Sequence, residues 1–196
     1  MTKTLIVPGL DGSPAPHWQD WWARTDLNAA MIDLPAPHRP VRAAWEAALA
    51  VAIIKNPGSI LVGHSLGSVV IAQMLATWPG LPVRAAVLVA PASPQGSDRL
   101  KDFGALPRVS FDVPTVVVAS HNDPWMTFDE ATDLSEHWGS TLIDLGNAGH
   151  VNVASGFGPW PGGKLIRDSL IDQTARPGVI RKLTVKASGW ANSLRN

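Results

Sequence analysis

Six short apolar runs recur along the chain: TLIV at 4–7, AAMIDL at 29–34, SILVGH at 59–64, AAVLVA at 85–90, TVVVAS at 115–120 and TLIDL at 141–145. They are continuous rather than alternating. A strand with one wet face must alternate apolar and polar residues, whereas a strand covered on both faces by helices has no polar side to show. The runs therefore read as strands of a buried, mainly parallel sheet, and parallel strands need long crossovers between them.

The intervening sequence supplies those crossovers. Residues 40–55, PVRAAWEAALAVAIIK, open on a proline, are dense in alanine and leucine, and stop at Asn56-Pro57-Gly58. Residues 66–78 form a second helix closed by Pro79-Gly80. A third, 127–138, begins with Thr127 three residues before Glu130, the spacing of a capping box. A fourth, 162–173, follows Trp160-Pro161-Gly162-Gly163. Strand and helix alternating over the whole chain predict one α/β domain with a mainly parallel sheet of about six strands and helices on both faces.

The longest irregular stretch, 91–114, is rich in Pro, Gly and Ser; it is long enough for a short lid or loop and too short for a large lid domain. From Arg176 onward the pattern weakens, with five of the sixteen basic residues and no acidic one. We divide the chain into an α/β domain at 1–175 and a basic C-terminal extension at 176–196, whose chemistry is not legible.

Composition narrows the chemistry. Lys plus Arg and Asp plus Glu are equal at 16, so no net field draws the protein to nucleic acid or an anionic membrane. Cysteine is absent, which removes disulfides, thiolate metal sites and thiol nucleophiles. The apolar run before Pro8-Gly9 is too short for a signal-peptide core, and no later segment has the length of a membrane span; a cytoplasmic protein is expected. The nine tryptophans, with no tyrosine, read mainly as core filling.

Against that background Gly63-His64-Ser65-Leu66-Gly67 stands out as a G-x-S-x-G pentapeptide. The pattern alone is weak. Its position is not: a buried strand precedes it and a helix follows, the context of a nucleophile elbow, where small residues let helix and strand pack closely around a strained serine. The Leu66 amide then sits at a helix N-terminus, able to donate to an oxyanion. A serine hydroxyl needs a base, and six histidines are present. His150, five residues past the last strand in LGNAGHVN, is the best placed. His64 points away from Ser65 around the turn and reads as support behind it; His38 and His137 read as solvated or helix-capping groups. His17, in SPAPHWQDWW, lies in a loop after the first strand that can rim the site.

The third member must be a buried carboxylate that holds the imidazole. Asp123 fits, just past the fifth strand in VVVASHNDPW, whereas Asp144 and Asp129 read as structural. The order Ser65, Asp123, His150 is that of α/β-hydrolases. A second oxyanion donor is expected from VPGLDGS, where Gly9 permits close approach and the Leu10 amide can point inward. Those glycines lack the lysine of a phosphate loop and the spacing of a dinucleotide fingerprint. No metal and no cofactor are implied.

Four blocks, VPG with HWQDWW, GHSLGS, ASHNDPW and AGHVNVASGFGPWPGG, resemble the small serine hydrolases of the retinoblastoma-binding protein nine and YdeN type, over roughly residues 3–173. The resemblance implies a reduced α/β-hydrolase core without a lid and a triad of Ser65, Asp123 and His150. The pocket-protein motif L-x-C-x-E of the namesake cannot carry over to a chain without cysteine, and the basic tail is outside the pattern.

The expected activity is hydrolysis of small carboxylic esters or related acyl compounds through an acyl-serine intermediate, with amide, peptide and thioester substrates left open. The expected partner is a small acyl substrate. One alternative is a binding module on a hydrolase scaffold, with a tryptophan-rich rim of Trp18, Trp125 and Trp160 beside His17. Another is a cofactor-free lyase or oxygenase on the same scaffold.

Overall fold

The computed structural model describes residues 2–175; the basic extension at 176–196 lies outside the described residues. Six strands, β1 (Thr4–Val7), β2 (Ala29–Met31), β3 (Ser59–His64), β4 (Val83–Val89), β5 (Thr115–Ala119) and β6 (Thr141–Asp144), form one sheet in the order β2-β1-β3-β4-β5-β6. Every neighbouring pair is parallel. The order reverses between β1 and β3, and a crevice opens at such a reversal beyond the strands' C-terminal ends.

Five helices cover the sheet: α1 (Trp18–Thr25), α2 (Arg42–Lys55), α3 (Leu66–Thr77), α4 (Phe128–Trp138) and α5 (Pro161–Ala175). Strand residues alternate between two apolar cores. Leu5, Val7, Leu61, Leu88 and Val117 pack with α2, α3 and α4, whereas Ile6, Ile60, Val62, Val87 and Val116 pack with α1 and α5. Both faces are therefore dry, which is why the strands read as unbroken apolar runs. This is the α/β-hydrolase fold with helices on both faces and no large lid insertion.

The expected elements are present with small shifts in their ends. Thr127 caps α4 as its spacing predicts, its side chain accepting from the Glu130 amide at 3.1 Å. The stretch 91–114 contains two short 3-10 turns, at Pro94–Gly96 and Asp98–Phe103, and is pinned by Leu100 and Phe103, both buried in the core. The Gln73 side chain of α3 donates to the Phe103 carbonyl, fastening the same stretch from below.

The difference is α1, which the sequence reading treats as loop. Pro14 and Pro16 suggest irregular backbone, yet His17 ends the proline run and caps a helix, its Nδ1 accepting from the Gln19 amide at 3.1 Å. Trp18 and Trp22, one turn apart, bury completely against α5. Among the described residues, no helix is long and apolar enough to cross a membrane.

Candidate active site

Ser65 sits between β3 and α3 with φ 54° and ψ −120°, a conformation that non-glycine residues rarely adopt. The sequence produces this by removing side chains around it. A Cβ on Gly67 would stand 2.2 Å from the Val7 carbonyl oxygen, and one on Gly63 would stand 2.6 Å from the Ser68 nitrogen. Only glycine lets α3 press this closely on β1 and β3, and that pressure holds the serine at the apex.

Two loops on neighbouring strands bring the rest. After β5, Ser120 Oγ donates to Asn122 Oδ1 at 2.8 Å; that same oxygen accepts from the Gly149 amide at 2.7 Å, and Ser120 Oγ accepts from the Ala148 amide at 2.9 Å. The loop bearing Asp123 is thus stitched to the loop bearing His150. The result is a carboxylate held by its own turn, through the Trp125 amide at 2.9 Å, and facing the imidazole. Both Asp123 oxygens lie 2.9 Å from His150 Nδ1, and the two side chains are only 4% and 8% exposed. An ionised carboxylate only accepts, so Nδ1 carries the proton and Nε2 keeps its lone pair.

His64 supports this arrangement from behind the nucleophile, as its position predicts. Its Nε2 donates to the His150 carbonyl at 2.8 Å, and Trp18 Nε1 donates to the next carbonyl, Val151, at 2.9 Å. Val151 itself turns with φ 48°. Burial holds the His64 pKa well below the usual histidine range, reinforced by His17 and His150 nearby and opposed by the bond to the His150 carbonyl. His64 is therefore neutral, a fixed donor.

The remaining expected residues divide. Ser65, His150, Leu10, His17 and Trp125 line one cavity of about 320 Å³, together with Gly9, Asp11, Arg99, Leu100 and Asn152. Gly9 makes the expected close approach: a Cβ there would stand 3.0 Å from that of Ser65. Leu66 buries its side chain, and its amide, at the first position of α3, has no intrahelical acceptor.

Trp18 and Trp160 do not line the cavity, contrary to the expected rim. They are 0% and 1% exposed and pack edge-on at 5.2 Å beneath the His150 loop, where Gly163 leaves room for the Trp160 ring. Their bulk drives them into the core between α1 and α5 once α1 exists. Trp125 alone of the three stays at the rim, 41% exposed.

Asp11 and Arg99, neither singled out by the sequence, complete the mouth. Arg99 donates to both Asp11 oxygens, at 3.0 and 2.5 Å, and His38 Nδ1 lies 2.8 Å from one of them. Arg99 and His38 together hold the Asp11 carboxyl below its usual range, against a weaker opposing effect of burial. These residues are far apart in sequence and carry no motif. Only Asn152, two residues past His150, lay within reach of a sequence argument. Among the described residues, no three His, Asp or Glu side chains converge as a metal site.

The family described as serine hydrolase matches residues 4–168. A YdeN-like hydrolase of Pectobacterium atrosepticum is 30% identical, with 89% of this chain and 92% of that one covered and a TM-score of 0.82. The YdeN gene product of Bacillus subtilis, at 24% identity, is covered over 100% of its length by 88% of this chain, with a TM-score of 0.74. Est1E of Butyrivibrio proteoclasticus, in a structure with ferulic acid bound, shares the fold at 12% identity, 90% coverage of both chains and a TM-score of 0.65. No curated protein matches the chain.

Proposed function

The chain belongs to the serine hydrolase family, in its YdeN-like branch, and on that premise we propose that it hydrolyses small carboxylic esters through an acyl-Ser65 intermediate. The observation that carries the reading is the convergence at one cavity of a strained Ser65 and a His150 whose Nδ1 is bound by both Asp123 oxygens.

In this reading, Ser65 Oγ attacks the ester carbonyl while His150 Nε2 takes its proton. Asp123 stabilises the imidazolium and prevents the ring from turning. The Leu66 amide, at the positive end of α3, and the Leu10 amide donate to the oxyanion. Collapse of the tetrahedral intermediate expels the alcohol, which takes the proton from His150. Water then repeats the sequence on the acyl-enzyme and releases the acid. A cavity of about 320 Å³ suits a small acyl group. The likeness to retinoblastoma-binding protein nine rests on the four sequence blocks.

The binding-module alternative drew on a tryptophan rim, and two of its three tryptophans are buried. A fluorophosphonate probe tests the hydrolase reading. The wild-type protein is expected to label and to turn over a short-chain nitrophenyl ester, and Ser65→Ala to do neither. Equal labelling of both proteins, or of neither, would overturn it.

A further inference from the structure

Two uncharged side chains of the cavity wall have their accepting atoms occupied. His17 Nδ1 accepts from the Gln19 amide at 3.1 Å, so the proton of the neutral ring is on Nε2. Gln19 is itself immobile, accepting from Ser13 Oγ at 2.6 Å and donating to the Val7 carbonyl at 3.0 Å. Asn152 Oδ1 accepts from the Ser155 amide at 3.1 Å and from Ser155 Oγ at 3.0 Å, which turns its NH2 group away from that turn. Among the described residues, neither His17 Nε2 nor Asn152 Nδ2 has a partner, and both residues line the cavity with Ser65.

The charged groups at the mouth do not alter this picture. Both Asp11 oxygens accept from Arg99, and His38 Nδ1 lies 2.8 Å from one of them, so the charges at the mouth are paired with each other. Much of the remaining wall is apolar, including Leu10, Ala92, Leu100 and Val153. The cavity thus combines two fixed, uncharged donors with apolar surface and, at its mouth, the paired charges of Arg99 and Asp11.

We propose that His17 and Asn152 are substrate-binding donors, and that the substrates are small uncharged esters carrying a further acceptor oxygen, an ether or carbonyl, besides the scissile ester group. This deepens the ester-hydrolase reading and rests on it for the word substrate, while the binding preference stands by itself. A purely aliphatic ester offers these donors no acceptor beyond its scissile group, and a site built to hydrogen-bond discriminates against the analogue that lacks the partner. Burial, and secondarily the neighbouring His150, lowers the His17 pKa to about 4, so the donor stays uncharged at neutral pH.

Methyl methoxyacetate and methyl butyrate make the test, because they differ by one ether oxygen in place of a methylene. Their binding is followed by nitrogen-15 NMR titration of the Ser65→Ala protein, where no turnover intervenes. The methoxyacetate is expected to bind about fivefold more tightly, with movement of the His17 Nε2 resonance that butyrate does not cause. Apolar surface alone would favour butyrate, so the order of affinities is diagnostic. His17→Asn keeps the accepting cap of α1 but withdraws the donor, and Asn152→Asp keeps the acceptor for Ser155 while removing the NH2. Added singly to Ser65→Ala, each is expected to cut the methoxyacetate preference by at least half.

Butyrate binding as tightly as methoxyacetate, an unmoved His17 resonance, or a preference unchanged in both variants would overturn the proposal. Failure of the hydrolase reading would appear separately, as ester turnover that does not depend on Ser65.

Discussion

Ser65 carries an energetic burden that the sequence motif only hints at. A non-glycine residue held at φ 54° costs about 1–3 kcal/mol, sustained by the packing of α3 against β1 and β3. Glycine adopts that backbone without strain. Ser65→Gly is therefore expected to raise the stability by about 1 kcal/mol, read as an upward shift in the urea midpoint, while abolishing probe labelling. A lowered midpoint would show that the elbow is not strained. At this scale the sequence was most informative where a local motif and chain order agreed, as for Ser65, Asp123 and His150. It misjudged Trp18 and Trp160, because the exposure of a tryptophan depends on which element covers it, and that element was not recognised. Arg99 and Asp11 were invisible, being 88 residues apart with nothing in either's neighbours to join them.

Among the elements, the contact between α3 and the β1 end is the most demanding. A Cβ on Gly67 would stand 2.2 Å from Val7 O and 2.6 Å from Pro8 O, both backbone atoms that cannot rotate away. Gly67→Ala is expected to cost about 3 kcal/mol or more, and to reduce esterase kcat in whatever protein remains folded, since displacing α3 moves Ser65 and the Leu66 amide together. Thermal unfolding and kcat on a nitrophenyl ester check this; a wild-type Tm would contradict the close packing. Strands were legible as unbroken apolar runs, and the long helices by their composition and by the proline, glycine and capping residues at their ends. The eight-residue α1 was not, since prolines precede it and its stability comes from burying Trp18 and Trp22 against α5 rather than from its own propensity.

At the scale of the whole molecule, burial holds His17 and His64 neutral, and folding therefore opposes their protonation. For His17 the folded pKa is about 4 against 6.5 for the ordinary group, lowered first by burial and then by His150. Above pH 6.5 neither state takes up the proton and nothing is lost. As the pH falls from 6.5 to about 4 the unfolded chain binds a proton that the folded one refuses, so stability declines, and the loss is complete below that range. This amounts to about 3 kcal/mol for His17, with His64 adding in the same direction. Between pH 7 and 4 the Tm is expected to fall, and to fall less in His17→Asn; an identical slope in the variant would refute the assignment. The sequence by itself determined the layer architecture and the parallel character of the sheet, and it nominated the residues proposed as the triad, because burial on both faces and motif spacing are local patterns written along the chain. Only the tertiary structure decided which tryptophans are core, how the loops after β5 and β6 are stitched together, and which donors face the cavity. Those depend on atoms from distant segments meeting, and no local periodicity encodes where a hydrogen bond's second partner will arrive.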